Sequence, residues 1–324
     1  MTVPRIAVVG SYATGLTMKV KRLPSIGETL LGTGYRVDYG GKGSNQAVGS
    51  ARLGAKVSLV ARIGNDAFGE MALRLYGEEG IDVVHVKQTA GTATGVGFII
   101  VETVSGNNCI VVDPGANELL TAEDVFGCAA AFKSTSVLLT QLEIPVETAH
   151  AALRLGREVG ATTILNPAPV RPLPASVLQS VDVLTPNLAE AKVLTGRRPD
   201  EDAEPEQLAC ELIRSGIKQV VMTLGEKGVL IVTPVSAIHV PAILVSAVDT
   251  TGAGDAFNAG LATALASGAS LEAAVQFAVV TGGLAVTREG VIPSLPSGNE
   301  VRRFYQGRGT GIPDWFAARS ADKA

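Results

Sequence analysis

Short apolar runs alternate with amphipathic segments along most of the chain. The runs have the length and composition of buried β-strands, and the amphipathic segments repeat their apolar positions at helical spacing. Strands are predicted at residues 6–10, 57–63, 137–142, 162–166, 181–185, 220–224 and 229–232, and helices at residues 44–53, 67–79, 146–159, 188–194 and 205–214. This alternation predicts an α/β protein with a mainly parallel central sheet covered on both faces, and ligands in such sheets bind at the carboxyl ends of the strands.

Two stretches of the chain interrupt this alternation. Residues 19–39 and 92–113 have a strand-like pattern without intervening helices, in the segments 29–31, 35–38, 96–101 and 110–112. We expect these segments to pair into a small sheet that projects from the main body. Placed over the strand ends, the small sheet would act as a lid that keeps water from the reaction, although a plain β-decoration would have the same pattern.

Residues 249–257 form a Gly-rich turn with the sequence Asp-Thr-Thr-Gly-Ala-Gly-Asp-Ala-Phe. The apolar segment 243–248 precedes the turn and a helical pattern follows it, so a strand-to-helix junction is predicted. Glycines let the backbone approach a ligand closely, and the free N–H groups of a helix start attract an anion. Asp255 would lie in the first helical turn, where the helix dipole keeps a carboxylate ionised and able to take a proton. These features favour phosphoryl transfer to a hydroxyl, whereas a helix-capping Asp is the alternative without a function.

Composition restricts the class of protein further. The 324 residues are 46% hydrophobic and 18% charged, with a net charge of −4, so the chain can bury a large core and offers no basic surface for nucleic acid or an anionic membrane. Three cysteines and three histidines are too scattered for a disulfide framework or a zinc site. No secretion signal and no 18-residue apolar stretch is visible, so we expect a cytoplasmic protein that does not enter a membrane.

A second Gly-rich turn, Gly-Gly-Lys-Gly-Ser-Asn-Gln-Ala, occupies residues 40–47 and precedes a predicted helix. A P-loop would need a glycine five positions before Gly41, where this chain has Arg36, and the chain contains no GxGxxG motif. The two Gly-rich turns therefore belong to another class of phosphate-binding protein.

The two turns and the motifs between them resemble the ribokinase-like (PfkB) family of sugar kinases, from about residue 6 to about residue 296. The matching segments are 40–54 and 249–255, with Gln-Leu-Glu at 141–143, Asn-Pro-Ala-Pro at 166–169, Thr-Pro-Asn-Leu-Ala-Glu at 185–190, Thr-Leu-Gly-Glu-Lys-Gly at 223–228 and Ala-Val-Thr-Arg-Glu-Gly at 285–290. The resemblance implies a ribokinase-like three-layer sandwich with a small β-sheet lid. It implies a kinase domain at residues 1–297, with lid strands from about 12–40 and 92–113, and a C-terminal helix and tail at 298–324.

The resemblance also implies roles for individual residues in an ATP- and Mg²⁺-dependent reaction. Asp255 would be the catalytic base, and the N–H groups of Gly252, Ala253 and Gly254 would form the anion hole for the γ-phosphate. Asn187 and Glu190 match the family's N-x-x-E motif, which is associated with Mg²⁺ and phosphate. Their spacing fits one helical face, but it also fits a simple capping box.

Two further ligand sites follow from the resemblance. Thr223, Gly225 and Gly228, together with Asn187 and Gly254, would border the nucleotide, although the first three also fit a plain hairpin turn. Six residues match the positions that hold a monovalent cation such as K⁺, mostly through backbone carbonyls: Asp249, Thr251, Ala285, Arg288, Gly290 and Ser294.

The sugar pocket is where the chain departs from the family's pattern. Gly41, Lys42, Asn45 and Glu143 match positions that contact the sugar, as Asp255 does. However, Gly15 replaces an Asp that chelates two neighbouring hydroxyls, and Ala13 replaces an Asn. We therefore expect ribose to be a poor substrate, with Gly15 leaving room for a bulkier substrate or for Tyr12 or Lys19 to reach in.

Three functions remain open from the sequence. The first is an ATP-dependent kinase of a sugar or polyol, and the second is a nucleoside kinase, against which the 4% aromatic content argues mildly. The third is a catalytically silent metabolite-binding protein on the same fold. We also expect a homodimer, because lid sheets with exposed apolar faces and unpaired edges would be prone to association.

Overall fold

The computed structural model describes residues 3–317. Within this range, the strands are β1 (Arg5–Val9), β2 (Ala13–Val20), β3 (Thr33–Gly40), β4 (Lys56–Gly64), β5 (Asp82–Thr89), β6 (Gly95–Glu102), β7 (Asn108–Asp113), β8 (Val137–Thr140), β9 (Thr162–Leu165), β10 (Val183–Leu184), β11 (Gln219–Thr223), β12 (Val229–Val232) and β13 (Ala237–Val240). The α-helices are α1 (Lys42–Arg52), α2 (Ala67–Glu79), α3 (Ala122–Phe126), α4 (Ala129–Phe132), α5 (Val146–Glu158), α6 (Ala175–Leu178), α7 (Leu188–Leu194), α8 (Pro205–Arg214), α9 (Ala253–Ala266), α10 (Leu271–Ala285), α11 (Gly298–Gly307) and α12 (Asp314–Ala317). None of these described helices is long and apolar enough to cross a membrane.

A nine-stranded sheet, in the order β13-β12-β11-β10-β9-β8-β1-β4-β5, forms the centre of the described region. Its strands are parallel except that β12 runs antiparallel to both of its neighbours. Alternate residues of β1 enter different cores, Ile6 on one side and Ala7 on the other. Because both faces are covered, inner strands such as β8 and β12 are buried apolar runs, as is usual for parallel sheets. The predicted three-layer α/β fold is confirmed.

Four strands form a separate small sheet in the order β3-β2-β6-β7. β2 pairs antiparallel with β3 and parallel with β6, and β6 pairs antiparallel with β7. The predicted strand segments 35–38, 96–101 and 110–112 lie within β3, β6 and β7. The predicted strand at 29–31 is wrong, because this segment is a loop in which Leu31 is 96% exposed.

The strand predicted at residues 243–248, before the second Gly-rich turn, is also wrong. This segment pairs with no described strand, and Leu244 and Val248 are 88% and 61% exposed. It is held instead by the end of α10 and by Arg308: the N–H of Val248 donates to the carbonyl of Val286 at 2.7 Å, and the carbonyl of Leu244 accepts from Arg308 at 2.9 Å. An apolar run in an extended loop has the same sequence pattern as a short strand.

Helix α10 was not predicted from the sequence. Nearly all of its central residues are buried, including Val275, Phe277 and Val280. A helix that is apolar on all sides has no polar stripe, so its periodicity gives no signal. Strands β5 and β13 were also not predicted.

The C-terminal segment packs against the body through aromatic rings. Helix α11 begins at the predicted residue 298 and is capped by Ser297 and Glu300. Beyond it, the ring centroids of Trp315 and Phe316 lie 5.0 and 4.7 Å from that of Phe277 on α10. Residues 318–324 of the predicted tail lie outside the described residues, so the tail stays a prediction.

Candidate active site

Asp255 lies in the first turn of α9, as predicted. Gly252 precedes the helix with φ 81° and ψ −2°, a left-handed conformation that favours glycine. A Cβ at Gly252 would lie 2.6 Å from Cγ1 of Val291, so the turn also has no room for a larger residue. Asp255 is 5% exposed, which places an acidic side chain almost completely within the protein.

Two amide side chains from α1 hold the Asp255 carboxylate. Asn45 Nδ2 donates to Oδ2 at 2.8 Å, and Gln46 Nε2 donates to Oδ1 at 2.9 Å. The residues involved are 209 and 210 positions apart in the chain. The two Gly-rich turns therefore meet at this carboxylate. Asn45, predicted to contact the sugar, also has a buried Oδ1 without a hydrogen-bond partner in the part of the chain that the structure describes.

A relay of buried amides continues from Asp255, and the sequence did not indicate it. Gln141 Nε2 donates to Gln46 Oε1 at 2.6 Å, and Gln46 Nε2 also donates to Asn166 Oδ1 at 3.0 Å. All three residues belong to the motifs quoted above, but only the folded structure brings them together. The shared donors and acceptors of this relay restrict the orientation of the carboxylate, and the buried Oε1 of Gln141 is left without a hydrogen-bond partner among the described residues.

Lys42 and Glu143 lie together at the start of α1. Glu143 Oε2 accepts from the N–H of Lys42 at 2.7 Å and from the hydroxyl of Ser11 at 2.5 Å. The negative charge of Asp255 raises the pKa of Lys42 against the effect of burial, with help from Glu143 and Glu190. Gly41 is left-handed with φ 86°, and a Cβ there would lie 2.7 Å from Tyr12 Cα. The lysine is thus positively charged and close to the carboxylates of the site.

Asn187 and Glu190 form the capping box of α7. A capping box was the alternative to a role in binding Mg²⁺ and phosphate. Asn187 Oδ1 accepts from the N–H of Glu190 at 2.8 Å, and Glu190 Oε2 accepts from the N–H of Asn187 at 2.8 Å. Both residues nevertheless line the same cleft as Asp255. Burial raises the pKa of Glu190, and Asp255 adds to the rise, while Asn187 and Lys42 oppose it. Capping and a contact with a ligand are therefore compatible here.

A cleft of about 210 Å³ is lined by Lys42 from the first Gly-rich turn and by Gly252, Gly254 and Asp255 from the second, whereas Gly41, Asn45, Glu143 and Ala253 are not among its lining residues. Its lining also includes polar groups from the end of β11 and from the segments that follow β9 and β10. The lining residues are Lys42, Asn166, Ala168, Thr185, Asn187, Glu190, Thr223, Gly252, Gly254, Asp255 and Asn258. The cleft lies at the carboxyl ends of the parallel strands, as expected for an α/β sheet.

The predicted nucleotide turn at residues 223–228 is a hairpin between β11 and β12. The N–H of Leu224 donates to the carbonyl of Gly228 at 2.8 Å. A Cβ at Gly228 would lie 2.2 Å from the carbonyl oxygen of Val240, which explains this glycine without a ligand. Gly225 has φ 61° and forms the turn itself. Of the three residues predicted from this turn, only Thr223 lines the cleft, and the nucleotide contacts stay a prediction.

The six residues predicted to hold a monovalent cation lie in two segments. Two are in the loop between β13 and α9, and the other four are at or after the end of α10. Asp249 Oδ1 accepts from the N–H of Thr251 at 2.9 Å, and its Oδ2 accepts from the N–H of Gly290 at 3.0 Å. Burial would raise the pKa of Asp249, but these bonds and the charge of Arg36 lower it overall. Arg288 donates to the carbonyl of Ser294 at 3.2 Å. Ala285 ends α10, and the cation itself stays a prediction.

Tyr12 does not reach into the cleft. Its ring is fully buried in the core, where its hydroxyl lies 3.2 Å from the hydroxyl of Thr14. Burial raises the pKa of Tyr12 to about 12. The suggestion that Tyr12 fills the space left at Gly15 is therefore wrong, because the side chain is a packing residue on the other side of the strand.

Comparison with known proteins agrees with the fold and the motifs. A family model described as pfkB family carbohydrate kinase matches residues 3–298. Ribokinase of Haemophilus influenzae is 36% identical over 301 residues, which cover 93% of this chain and 98% of that protein. Deoxyribokinase of Salmonella typhi is 36% identical over 293 residues, which cover 90% of this chain and 95% of that protein. The structure of Arabidopsis thaliana ribokinase complexed with ribose and ATP matches with a TM-score of 0.85 and 30% identity. The match covers 93% of this chain and 98% of that chain.

The resemblance recognised from the motifs is thereby confirmed, since the family model spans all of the motif segments and the relatives align over nearly their whole length. This chain belongs to the pfkB family of carbohydrate kinases.

Proposed function

We propose that this kinase transfers the γ-phosphoryl group of ATP to a hydroxyl of a sugar or sugar-like alcohol, with Asp255 as the base. The observation that carries the proposal is the buried Asp255 carboxylate at the start of α9, held by Asn45 and Gln46 and beside the glycines of the turn. A carboxylate that accepts two amide hydrogen bonds is fixed in orientation and still has lone pairs for an incoming proton. The relatives named ribokinase and deoxyribokinase support a sugar as the acceptor.

The turn before α9 would stabilise the transferred phosphoryl group. Gly252, Ala253 and Gly254 carry the first N–H groups of the helix, which have no carbonyl partner within it, although the N–H of Ala253 donates to the carbonyl of Thr250 outside the helix at 3.3 Å. The N–H groups of Gly252 and Gly254 and the helix dipole would stabilise negative charge, and the N–H of Ala253 would join them by exchanging its long bond to Thr250 for the phosphate. Thr223 and Asn187 border the same cleft, where the nucleotide would extend away from Asp255.

The sugar would lie on the opposite side of Asp255, towards the start of α1. The unpaired Oδ1 of Asn45 can accept a hydrogen bond from a hydroxyl, and the Lys42 ammonium can donate one. Glu143 accepts from the backbone of Lys42 and from Ser11, so it fixes the position of this turn. Gly41 has a positive φ, which glycine adopts readily, and its lack of a side chain lets the backbone approach the sugar closely.

The residues present fit a hydrated Mg²⁺ and a monovalent cation. Within residues 3–317, no group of three or more His, Cys, Asp or Glu side chains could hold a metal directly, so Asn187 and Glu190 would bind Mg²⁺ through water. Bound Mg²⁺ supplies positive charge that neutralises the phosphates. The loop that carries Asp249 would hold K⁺ through carbonyls and keep the anion-hole turn in place.

The small sheet would close over the cleft and join two copies of the chain. Its outer face is apolar and exposed: Tyr35, Phe98 and Val111 are 62%, 52% and 64% exposed. We propose that this face packs against the same face of a second copy, since such patches on soluble proteins mark interaction sites. We also propose a cytoplasmic location, in agreement with three free thiols.

ADP release from ATP, measured with a panel of pentoses, hexoses, polyols, sugar acids and nucleosides, tests the proposed function. We expect one or more neutral sugars or polyols to stimulate turnover and nucleosides not to do so. Turnover with nucleosides alone would favour a nucleoside kinase. No turnover, despite a ligand-dependent rise in melting temperature, would indicate a silent binding protein.

A further inference from the structure

Asp38 on β3 lies directly across from Gly15 on β2 in the small sheet. Residues opposite each other on paired strands carry their side chains on the same face of the sheet. A Cβ at Gly15 would lie 3.8 Å from Cβ of Asp38 and 3.6 Å from Cδ1 of Ile99, which is ordinary contact distance. The space above Gly15 is therefore bordered by the side chain of Asp38.

The strand that carries Asp38 lies beside the candidate active site. β3 ends at Gly40, and the next residues open α1 beside Asp255. β3 also contacts the turn Ile292–Ser294, which packs beside the glycine turn of α9. Arg36, two residues from Asp38 on the same face, lies close enough to Asp249 for its charge to act on that carboxylate. Asp249 in turn binds the N–H of Thr251, next to Gly252.

Arg36 holds the Asp38 carboxylate in place. Arg36 Nε donates to Asp38 Oδ2 at 2.5 Å, and the two side chains are 46% and 29% exposed. An ion pair this exposed adds little to stability. It does restrict the carboxylate to one orientation, while leaving carboxylate lone pairs for hydrogen bonds from hydroxyl groups.

Resting on the proposed function, we infer that Asp38, oriented by Arg36, is a specificity-determining residue that accepts hydrogen bonds from sugar hydroxyls on the lid side of the site. The carboxylate that the family pattern places at position 15 thus acts from the neighbouring strand, and Gly15 leaves the space through which the substrate reaches it. Because Arg36 balances the charge of Asp38, the pair suits a neutral polyhydroxy substrate rather than a sugar acid or an amino sugar.

Steady-state kinetics of Asp38→Ala, with the best sugar from the panel, test this inference. We expect KM for the sugar to rise roughly 10- to 100-fold, because a hydrogen bond to a charged group is lost, with kcat and KM for ATP nearly unchanged. The double variant Gly15→Asp/Asp38→Ala moves the carboxylate back across the strand pair and should recover most of the sugar affinity. Gly15→Asp alone places two carboxylates side by side and should bind the sugar more weakly than wild type.

Glu28→Gln is the matched control, because Glu28 is also paired with an Arg in the small sheet's β2–β3 connection. Its KM values should equal those of wild type. Unchanged sugar KM in Asp38→Ala, or equal losses for sugar and ATP, would overturn the inference.

Sugar binding without ATP separates this inference from the proposed function. The rise in melting temperature on adding the sugar should be lost in Asp38→Ala and restored in the double variant. If wild type binds the sugar without phosphorylating it, only the kinase proposal fails, and the variants still decide the role of Asp38. If no sugar raises the melting temperature of wild type or stimulates turnover, both proposals fail.

Discussion

The side-chain amide nitrogen of Gln46 lies 2.9 Å from Oδ1 of Asp255 and joins α1 to the first turn of α9, although the two residues are 209 positions apart in the chain. The same amide nitrogen also donates to Asn166, so Gln46 has one defined orientation. Any reaction in which Asp255 takes a proton therefore depends on a neutral donor at position 46. This relationship leads to the first prediction.

Gln46→Glu should move the acid limb of the pH profile of kcat/KM to higher pH by roughly one unit or more. Two carboxylates in contact do not readily ionise together, so the active form would require a higher pH. Gln46→Leu removes the donor without adding charge, so it should lower kcat and move the limb in the same direction but by less than Gln46→Glu does. An identical profile for wild type and Gln46→Glu would contradict a catalytic role for Asp255.

Asp255→Asn should lower kcat by roughly 10²–10⁴-fold with little change in ATP affinity, because the variant keeps the shape of the side chain but cannot accept the proton. ATP binding by calorimetry and unfolding by circular dichroism serve as controls for an intact fold. Full activity of this variant would disprove the assignment of the base.

The sequence predicted the parts of this site that depend on local pattern. The position of Asp255 in a first helical turn follows from the glycines before it and the apolar spacing after it. Contacts between distant segments are different, because a buried Gln or Asn shows no sign of which partner it will meet. The relay from Gln46 to Asn166, the loop at 243–248 and the pairing of Gly15 with Asp38 all depend on tertiary packing, which local pattern does not contain.

Two neighbouring glycines should respond differently to alanine. Gly252→Ala places a side chain at φ 81° and within 2.6 Å of Val291, so the free energy of unfolding should fall by about 1 kcal/mol or more. A Cβ at Gly254 meets nothing within 4 Å, so Gly254→Ala should be as stable as wild type or up to about 1 kcal/mol more stable.

Both alanine variants should nevertheless lose activity, because both glycines line the cleft where phosphate would approach the backbone. We expect kcat/KM to fall at least roughly tenfold in each. Urea unfolding and kinetics on the same samples separate the two effects. A fully active Gly254→Ala would remove Gly254 from the proposed anion hole.

Asp124 should stabilise the fold in a pH-dependent way. Its carboxylate, 5% exposed, binds Arg62 at 2.8 Å and Lys87 at 2.6 Å. Burial alone would raise the pKa of Asp124, but these cations and the N–H of Thr121 hold it well below its usual range. A lowered folded pKa means that the stabilisation is fully present above the unfolded pKa of about 4 and is lost as the pH falls towards the folded value.

Asp124→Asn should therefore lower the free energy of unfolding by about 2–4 kcal/mol at pH 7, and the difference should shrink below about pH 4. Asp200→Asn, which breaks the exposed pair with Arg198, should change the melting temperature little at either pH. A difference for Asp124→Asn that stayed constant from pH 7 to the lowest pH at which the protein folds would contradict this linkage.

The last prediction concerns the outer face of the small sheet. Phe98 lies on β6 opposite Val111 on β7, and both side chains are more than half exposed. If this face joins two copies, Phe98→Glu would bury two charges against apolar side chains, and the dissociation constant should rise at least roughly 100-fold. Light scattering at micromolar concentration should then give the mass of two chains for wild type and of one chain for the variant. Val84→Glu, at an apolar position on β5 that is 79% exposed, should leave the dimer intact. A monomeric wild type, or a variant that dimerises as well as wild type, would rule out this face as the interface while leaving the kinase assignment unaffected.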